Sequence, residues 1–223
     1  MENVILAGAH PDDLIGCAGM ALQIKDKFKL HLFDFTKGEL GLGPAGLADG
    51  STAKIRAKEE EQAVKMINGD VHFLGEIDGY AYANKEVCQR AGALIRQLQP
   101  RALFTHWPLD THCDHVMTTA CMIKAVELSG SDCEIFFYEE TYQSLAFHPH
   151  FYVDITRQMA KKVELIRLYA CQNRNDSLVK NKTQDAIFRG SQICRDYAEA
   201  YAVFRPQKSG EKSFFAELDA VTY

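Results

Sequence analysis

Two short polar clusters stand out in this 223-residue chain: His10-Pro11-Asp12-Asp13, directly after the apolar run Val4-Ile5-Leu6-Ala7, and the much later Asp110-Thr111-His112-Cys113-Asp114-His115. A hydrolytic zinc commonly takes three nitrogen or oxygen ligands from the protein and keeps a fourth position for water. His10, Asp13 and His115 supply that set. Water bound in this way ionises with a pKa lowered to roughly 7, and Asp12, adjacent to Asp13 but not needed as a ligand, is placed to take its proton. One carboxylate of the pair then binds metal while the other acts as general base. Thr111 with Asp114 three residues on resembles a capping box, which puts His112 in the first turn of a helix and His115 on the same face. From there His112 can stabilise a tetrahedral oxyanion and protonate a leaving amine. Asp114 or Asp110 would hold its imidazole in one tautomer and raise its pKa. Each cluster alone also suits a plain helix start, because Pro fits the first turn and Asp the positive end of the dipole. Their joint occurrence favours a site.

The elements that must position these clusters alternate along the chain. β-branched and aromatic runs predict strands at Asn3 to Ala9, Lys29 to Thr36, Asp70 to Leu74, Ala102 to His106, Glu134 to Tyr138 and Phe151 to Ile155. Helical patterns fall at Leu14 to Lys27, Ala53 to Ile67, Glu86 to Leu98, Asp114 to Leu128, Arg157 to Cys171 and Ser191 to Phe204. This alternation predicts an α/β fold, a mostly parallel Rossmann-like sheet with helices on both faces. Ligands in such sheets bind outside the carboxyl ends of the strands. His10 follows the first strand and His112 and His115 the fourth, so both clusters project from one edge. The stretch from Gly38 to Gly46 also follows a strand on that edge, and its glycines suggest a mobile active-site loop.

Composition narrows the partners. A net charge of -5 disfavours phosphate-backbone binding, and no apolar run reaches the ~20 residues that a membrane span needs. The first residues show no basic leader before an apolar stretch, so a cytoplasmic location is expected. Seven cysteines without CxxC spacing indicate neither a disulfide framework nor a thiolate cluster. Cys113 is expected to pack rather than react.

At these clusters the chain resembles the LmbE/PIG-L family of zinc-dependent de-N-acetylases, with both motifs paired. Further matches are Thr36-Lys37-Gly38-Glu39-Leu40-Gly41, Ile55-Arg56-Ala57-Lys58-Glu59, Leu74-Gly75 with Asp78-Gly79, Tyr152-Val153-Asp154-Ile155, and Tyr197-Ala198-Glu199-Ala200-Tyr201. The Thr-Lys-Gly-Glu-Leu-Gly and Ile-Arg-Ala-Lys-Glu stretches look closest to the branch acting on bacillithiol precursors. The resemblance implies one LmbE-like domain over 1–223 and one Zn2+ per chain, or another divalent metal, on His10, Asp13 and His115. It further implies Asp12 as base, His112 as acid or oxyanion stabiliser, an N-acetylglucosamine-containing substrate, and sugar contacts from Arg56, Asp78 and Glu39. Arg56 can equally pair with Glu59 one helical turn on. Only Leu14 and Ile15 stand between Asp13 and Gly16, a shorter spacing than is usual in the family, so the first helix must start differently.

His106, at a strand end, is a candidate for the cavity lining, as is the Tyr138 phenol. His148 and His150 are candidates for a substrate loop. The Glu59-Glu60-Glu61 run reads most simply as a solvated helix face, although Glu59 falls between Ile55 and Ala63 on the apolar stripe, from where it can pair inward with Arg56. Phe214, Phe215 and Leu218 would dock on the parent domain or on a neighbouring subunit of a homo-oligomer. Two other functions stay open: a weakly active carbohydrate-binding or regulatory protein of this fold, and a metal hydrolase for another N-acyl group.

Overall fold

A computed structural model describes residues 1–43, 50–206, 212–218 and 220–222 of the chain. Five strands run parallel: β1 (Asn3–Gly8), β2 (Lys29–Asp34), β3 (Asp70–Phe73), β4 (Ala102–His106) and β5 (Glu134–Tyr138). The sheet continues through β6 (Phe151–Asp154), β7 (Ala198–Arg205) and β8 (Val221–Thr222), in the order β3-β2-β1-β4-β5-β7-β6-β8. β7 lies antiparallel between β5 and β6. From β1 the chain winds outward one way through β2 and β3, then returns to place β4 and β5 on the other side of β1. Strand order therefore reverses between β1 and β4, where such sheets open a ligand crevice.

Helices α1 (Ala18–Ile24), α2 (Ser51–Met66) and α5 (Met159–Ile166) contribute to one core, and α3 (Lys85–Leu98) and α4 (Cys113–Ser129) to another. Alternate strand residues serve the two cores. Val4 and Leu6 of β1 join the first, with Leu30, Phe104 and Phe136, while Ile5 and Ala7 join the second, with Phe33, Leu103 and Phe137. Burial on both sides explains why these strands read as nearly continuous apolar runs. Phe214 and Phe215 fill the first core against Phe104, Phe136 and Tyr201, so the final segment docks on its own chain.

Three predicted helices change. The Ser191 to Phe204 segment is not a helix: α6 (Ser177–Gln192) precedes it, and its second half is strand β7. Ala, Glu and Tyr accept either conformation, and the ladder slot between β5 and β6 decides. The Arg157 to Cys171 pattern shortens to α5. The Leu14 to Lys27 pattern breaks into a 3-10 turn, Asp13–Gly16, and then α1. Gly16 makes that break possible, since a Cβ there would lie 2.6 Å from both Glu140 Oε1 and Tyr138 Cδ2. The short spacing after Asp13 is thus taken up by a tight turn.

No side chain caps α1 from its own N-cap residue. Instead Glu199 of β7 accepts the Gly19 and Met20 N–H groups (2.7 and 2.8 Å), the Tyr201 hydroxyl (2.8 Å) and Lys162 Nζ (2.6 Å), a carboxylate at the positive end of the dipole. Lys162 and Glu199 are both buried, so removing one leaves the other charge without its partner. Glu199→Ala is expected to lower unfolding free energy by about 3 kcal/mol or more in urea titration; a loss below about 1 kcal/mol would show that β7 does not anchor α1 in this way.

Candidate active site

β1 ends with its last N–H groups turned onto a side chain. Asp13 Oδ2 accepts the backbone N–H of Ala9 (2.7 Å) and of His10 (2.8 Å), which folds the chain back and brings the His10 ring over the crevice. Asp13 is buried. Burial alone would raise its carboxyl, but the imidazoles of His106, His115 and His10 around it hold it well below the usual range. His10 Nδ1 lies 3.6 Å from Asp13 Oδ2, and His115 Nε2 3.8 Å from Asp13 Oδ1. Ligand atoms of His10, Asp13 and His115 all fall within 4.8 Å of one another.

The outer nitrogens of the two imidazoles face carboxylates. His10 Nε2 lies 3.2 Å from both Asp114 Oδ2 and Asp78 Oδ1, and His115 Nδ1 is 3.3 Å from Asp110 Oδ1. Such partners orient metal-binding histidines and increase their basicity. Burial would lower both imidazoles, yet these carboxylates and Asp13 raise them. The donor set thus fits a small divalent cation: two nitrogens and one ionised carboxylate, buried, each imidazole backed by an acid.

His112 departs from the sequence expectation. It is the N-cap of α4 and lies outside the first turn, and its Nδ1 accepts the Asp114 N–H at 3.2 Å, so Thr111 is not the cap. Neutral His112 therefore carries its proton on Nε2. Burial and the neighbouring His10 and His115 lower its pKa, the reverse of the expected rise. Neither Asp110 nor Asp114 holds its imidazole by a carboxylate. Asp110 accepts the His112 backbone N–H and faces His115, and Asp114 accepts the Gly79 N–H and faces His10.

Asp12 adopts φ 112°, ψ -20°, a left-handed geometry costly for a residue with a Cβ and often found at functional sites. Its N–H donates to Glu60 Oε2 (2.9 Å), and its Oδ1 pairs with Arg56 Nη2 at 2.5 Å. Burial pushes its carboxyl up to about 6, although Arg56 pulls the other way. Arg56, itself buried, also donates to the carbonyls of Pro11 and Gly38. Gly38 has φ 65°, and a Cβ there would lie 2.3 Å from Arg56 Nη1, so the loop after β2 must be glycine where the guanidinium passes.

A cavity of about 450 Å³ opens over these groups, lined by His10, Asp12, Asp13, Arg56, Asp78, His112 and His115 together with Leu40, Gly41, Gly79, Gln143, Gln172 and Leu178. Glu39 lies outside this lining and braces it by accepting the Asp78 N–H at 3.1 Å. Pro44, Ala45 and Gly46 of the glycine-rich stretch lie outside the described residues.

Glu60, not Glu59, turns inward. It sits one turn after Arg56, fully buried, and its Oε1 accepts the Tyr169 hydroxyl, while Glu59 accepts the Cys171 N–H. His106 lies behind the site: its ring stacks on His115 at 4.0 Å and 3°, its Nε2 lies 3.1 Å from Asp13 Oδ2, and burial and His115 push it down to about 4. The Tyr138 hydroxyl is spent on the Ala7 carbonyl, away from the pocket. His148 and His150 do not line the cavity, and Cys113 is exposed rather than packed. Gln143, Gln172 and Leu178 carried no sequence signal, since they reach the cavity from a turn and from helix surroundings with no motif around them.

The family described as PIG-L, GlcNAc-PI de-N-acetylase, matches residues 5–126, more than half of the chain. The protein belongs to this family. It is accordingly a hydrolase of the de-N-acetylase type. Solved structures share the fold: N,N'-diacetylchitobiose deacetylase from Pyrococcus horikoshii is 24% identical with a TM-score of 0.81, covering 92% of this chain and 84% of that one. The conserved protein TT1542 from Thermus thermophilus is 23% identical with a TM-score of 0.78, over 95% and 99%. GalB, the 4-carboxy-2-hydroxymuconate hydratase from Pseudomonas putida, is 21% identical with a TM-score of 0.81, over 95% and 100%. Among the described residues, no helix of this PIG-L member is long and apolar enough to cross a membrane.

Glu60 supplies a pH test. Burial raises its carboxyl from 4.5 to about 8, outweighing the Tyr169 and Asp12 hydrogen bonds. Stability from the neutral acid is complete below pH 4.5 and is lost as pH rises through about 8. In metal-free protein, Glu60→Gln is expected to reduce the difference in unfolding free energy between about pH 5 and about pH 8 by about 1 kcal/mol or more; an unchanged slope would remove Glu60 as its source.

Proposed function

We propose that this protein removes the acetyl group from the nitrogen of an N-acetylglucosamine-containing small molecule or glycoconjugate, with one zinc per chain held by His10, Asp13 and His115. The observation that carries the reading is the buried trio with ligand atoms within 4.8 Å, each imidazole faced by a carboxylate on its outer nitrogen. A divalent cation there, when bound, supplies Lewis acidity that eases ionisation of water and polarises an amide carbonyl.

The chain's own groups then divide the proton work. Asp12, with a carboxyl near 6 and one oxygen tied to Arg56, accepts a proton from the attacking water at neutral pH. The carbonyl oxygen gains charge as the new C–O bond forms, and the Nε2–H of His112 is available to donate to it. Because His112 Nδ1 is committed to the helix cap and its pKa is lowered, the geometry favours oxyanion stabilisation over acid catalysis. Asp12 returns its proton to the nitrogen as the C–N bond breaks, giving acetate and a free amine. Asp78 and the amides of Gln143 and Gln172 line the cavity where sugar hydroxyls would lie. Arg56 is assigned to Asp12 instead, because its guanidinium is buried and already paired.

Asp12→Asn retains an oxygen for Arg56 and removes the base. It is expected to lower kcat for acetate release by about 10²–10⁴-fold with zinc content unchanged by metal analysis. Full activity in this variant would remove Asp12 as base. Chelation should abolish turnover and added zinc restore it; undiminished turnover of demonstrably metal-free protein would overturn the metal assignment.

A further inference from the structure

More than half of the exposed large apolar side chains among the described residues sit on the four loops that follow β2, β3, β4 and β5, the loops that also wall the cavity; Leu42, Tyr80, Tyr82, Leu109, Tyr142 and Leu145 are among them. Tyr142, Tyr80 and Tyr82 are 77%, 75% and 65% exposed. Tyr80 follows Gly79, and Tyr142 precedes Gln143, both of which line the cavity.

These tyrosines stand on braced backbone. Glu139 pairs with Arg189 through two 2.6 Å contacts, Glu140 with Lys182 at 2.8 Å and Thr141 with Asp185, so three successive residues are tied to α6 just before Tyr142. Tyr142 itself has φ 64° and its hydroxyl lies 3.4 Å from Gln184 Oε1. A bulky residue held in left-handed backbone with its ring in solvent gains nothing from burial, which points to use of the ring. On the other loop, Gly79 N–H is fixed by Asp114 and Tyr80 N–H by the Ile77 carbonyl.

Charge selects the occupant. Lys37 is the one lysine or arginine on these loops, and it lies over the Phe73 ring, while their acids are engaged: Glu39 accepts the Asp78 N–H, Glu76 faces Arg90, and Asp78 and Asp110 face His10 and His115. Such loops give an anion no cation of their own and offer ring faces to a neutral group. Resting on the deacetylase reading above, we propose that Tyr80, Tyr82 and Tyr142 form a rim outside the acetyl-sugar cavity that binds a neutral, ring-bearing aglycone by stacking. An aryl group and a second pyranose share that chemistry.

The test compares acetate release by the zinc-loaded protein from N-acetylglucosamine, 4-nitrophenyl N-acetyl-β-glucosaminide, N,N'-diacetylchitobiose and N-acetylglucosamine 1-phosphate. The aryl glycoside or the disaccharide is expected to exceed the free sugar in kcat/KM by about tenfold, and the 1-phosphate not to; the better of the two names the aglycone. Tyr80→Ala and Tyr142→Ala should each cut that ratio several-fold, and Tyr142→Phe should keep it. A wild-type ratio near one, a preference for the phosphate, or equal losses on every substrate would overturn the proposal. So would sedimentation showing a dimer that these alanine variants dissociate, since a second copy would then cover the rim. If no substrate releases acetate, the deacetylase reading fails by itself. Calorimetric binding of 4-nitrophenyl β-glucosaminide against glucosamine then decides the rim: tighter binding lost in Tyr142→Ala supports it, and equal binding refutes it.

Discussion

A single carboxylate, that of Asp13, closes strand β1 and organises everything above it. It accepts two successive backbone N–H groups at a buried strand end, that of His10 and that of Ala9, the latter shared with His106 Nε2 at 3.0 Å. The same bonds turn the chain so that His10 overhangs the crevice. An ionised carboxylate at such depth needs compensation, and three imidazoles provide it, those of His10 after β1, His106 on β4 and His115 on α4. The metal-binding potential of the site thus follows from a local requirement, because a buried anion at the strand-order reversal draws histidines from both halves of the sheet.

Adjacent residues in this turn have opposite fates. Asp13 is surrounded by imidazoles and held ionised, whereas Asp12, half-buried at the cavity wall, is pushed up to about 6 because desolvation and the neighbouring Asp13 outweigh Arg56, His10 and His115. Two carboxylates pushed apart by their surroundings can divide labour, one holding a cation and the other exchanging protons at neutral pH. Arg56 sets this balance, and the glycine at position 38 lets its guanidinium reach the Asp12 oxygen. Beneath them, Glu60 anchors the Asp12 N–H and passes the constraint through Tyr169 to the helices below.

The wall of the cavity is built by charge as much as by packing. Residues 139–141 are each paired with α6, and Ser144 donates to Asp110, the acid that faces His115. Buried ion pairs of this kind contribute little net stability beside apolar packing; here they fix where a turn lies. Gln143 on that turn and Leu178 on α6 consequently meet at one cavity.

Much of this was legible in the residues. The six strands from β1 to β6 and the position of both clusters at one sheet edge could be read in sequence, because apolar runs of strand length and helix-length patterns between them admit few topologies. The convergence of His10, Asp13 and His115 was legible for a similar reason: the segments that follow β1 and β4 meet at the carboxyl edge of such a sheet. Tertiary structure alone decided the rest. Ala198–Arg205 became a strand because β5 and β6 left a ladder open, which no local preference encodes. Glu60 rather than Glu59 turned inward because Asp12 and Tyr169 waited there. His112 became a cap with its proton on Nε2, and Arg56, at the cavity wall, came to pair with Asp12, since hydrogen bonds between distant segments determine which atoms remain free. Residue types and spacing determined which histidines and carboxylates gather at one sheet edge; the burial and pairing of each group, which depend on neighbours far away in sequence, decided the environment each of them has.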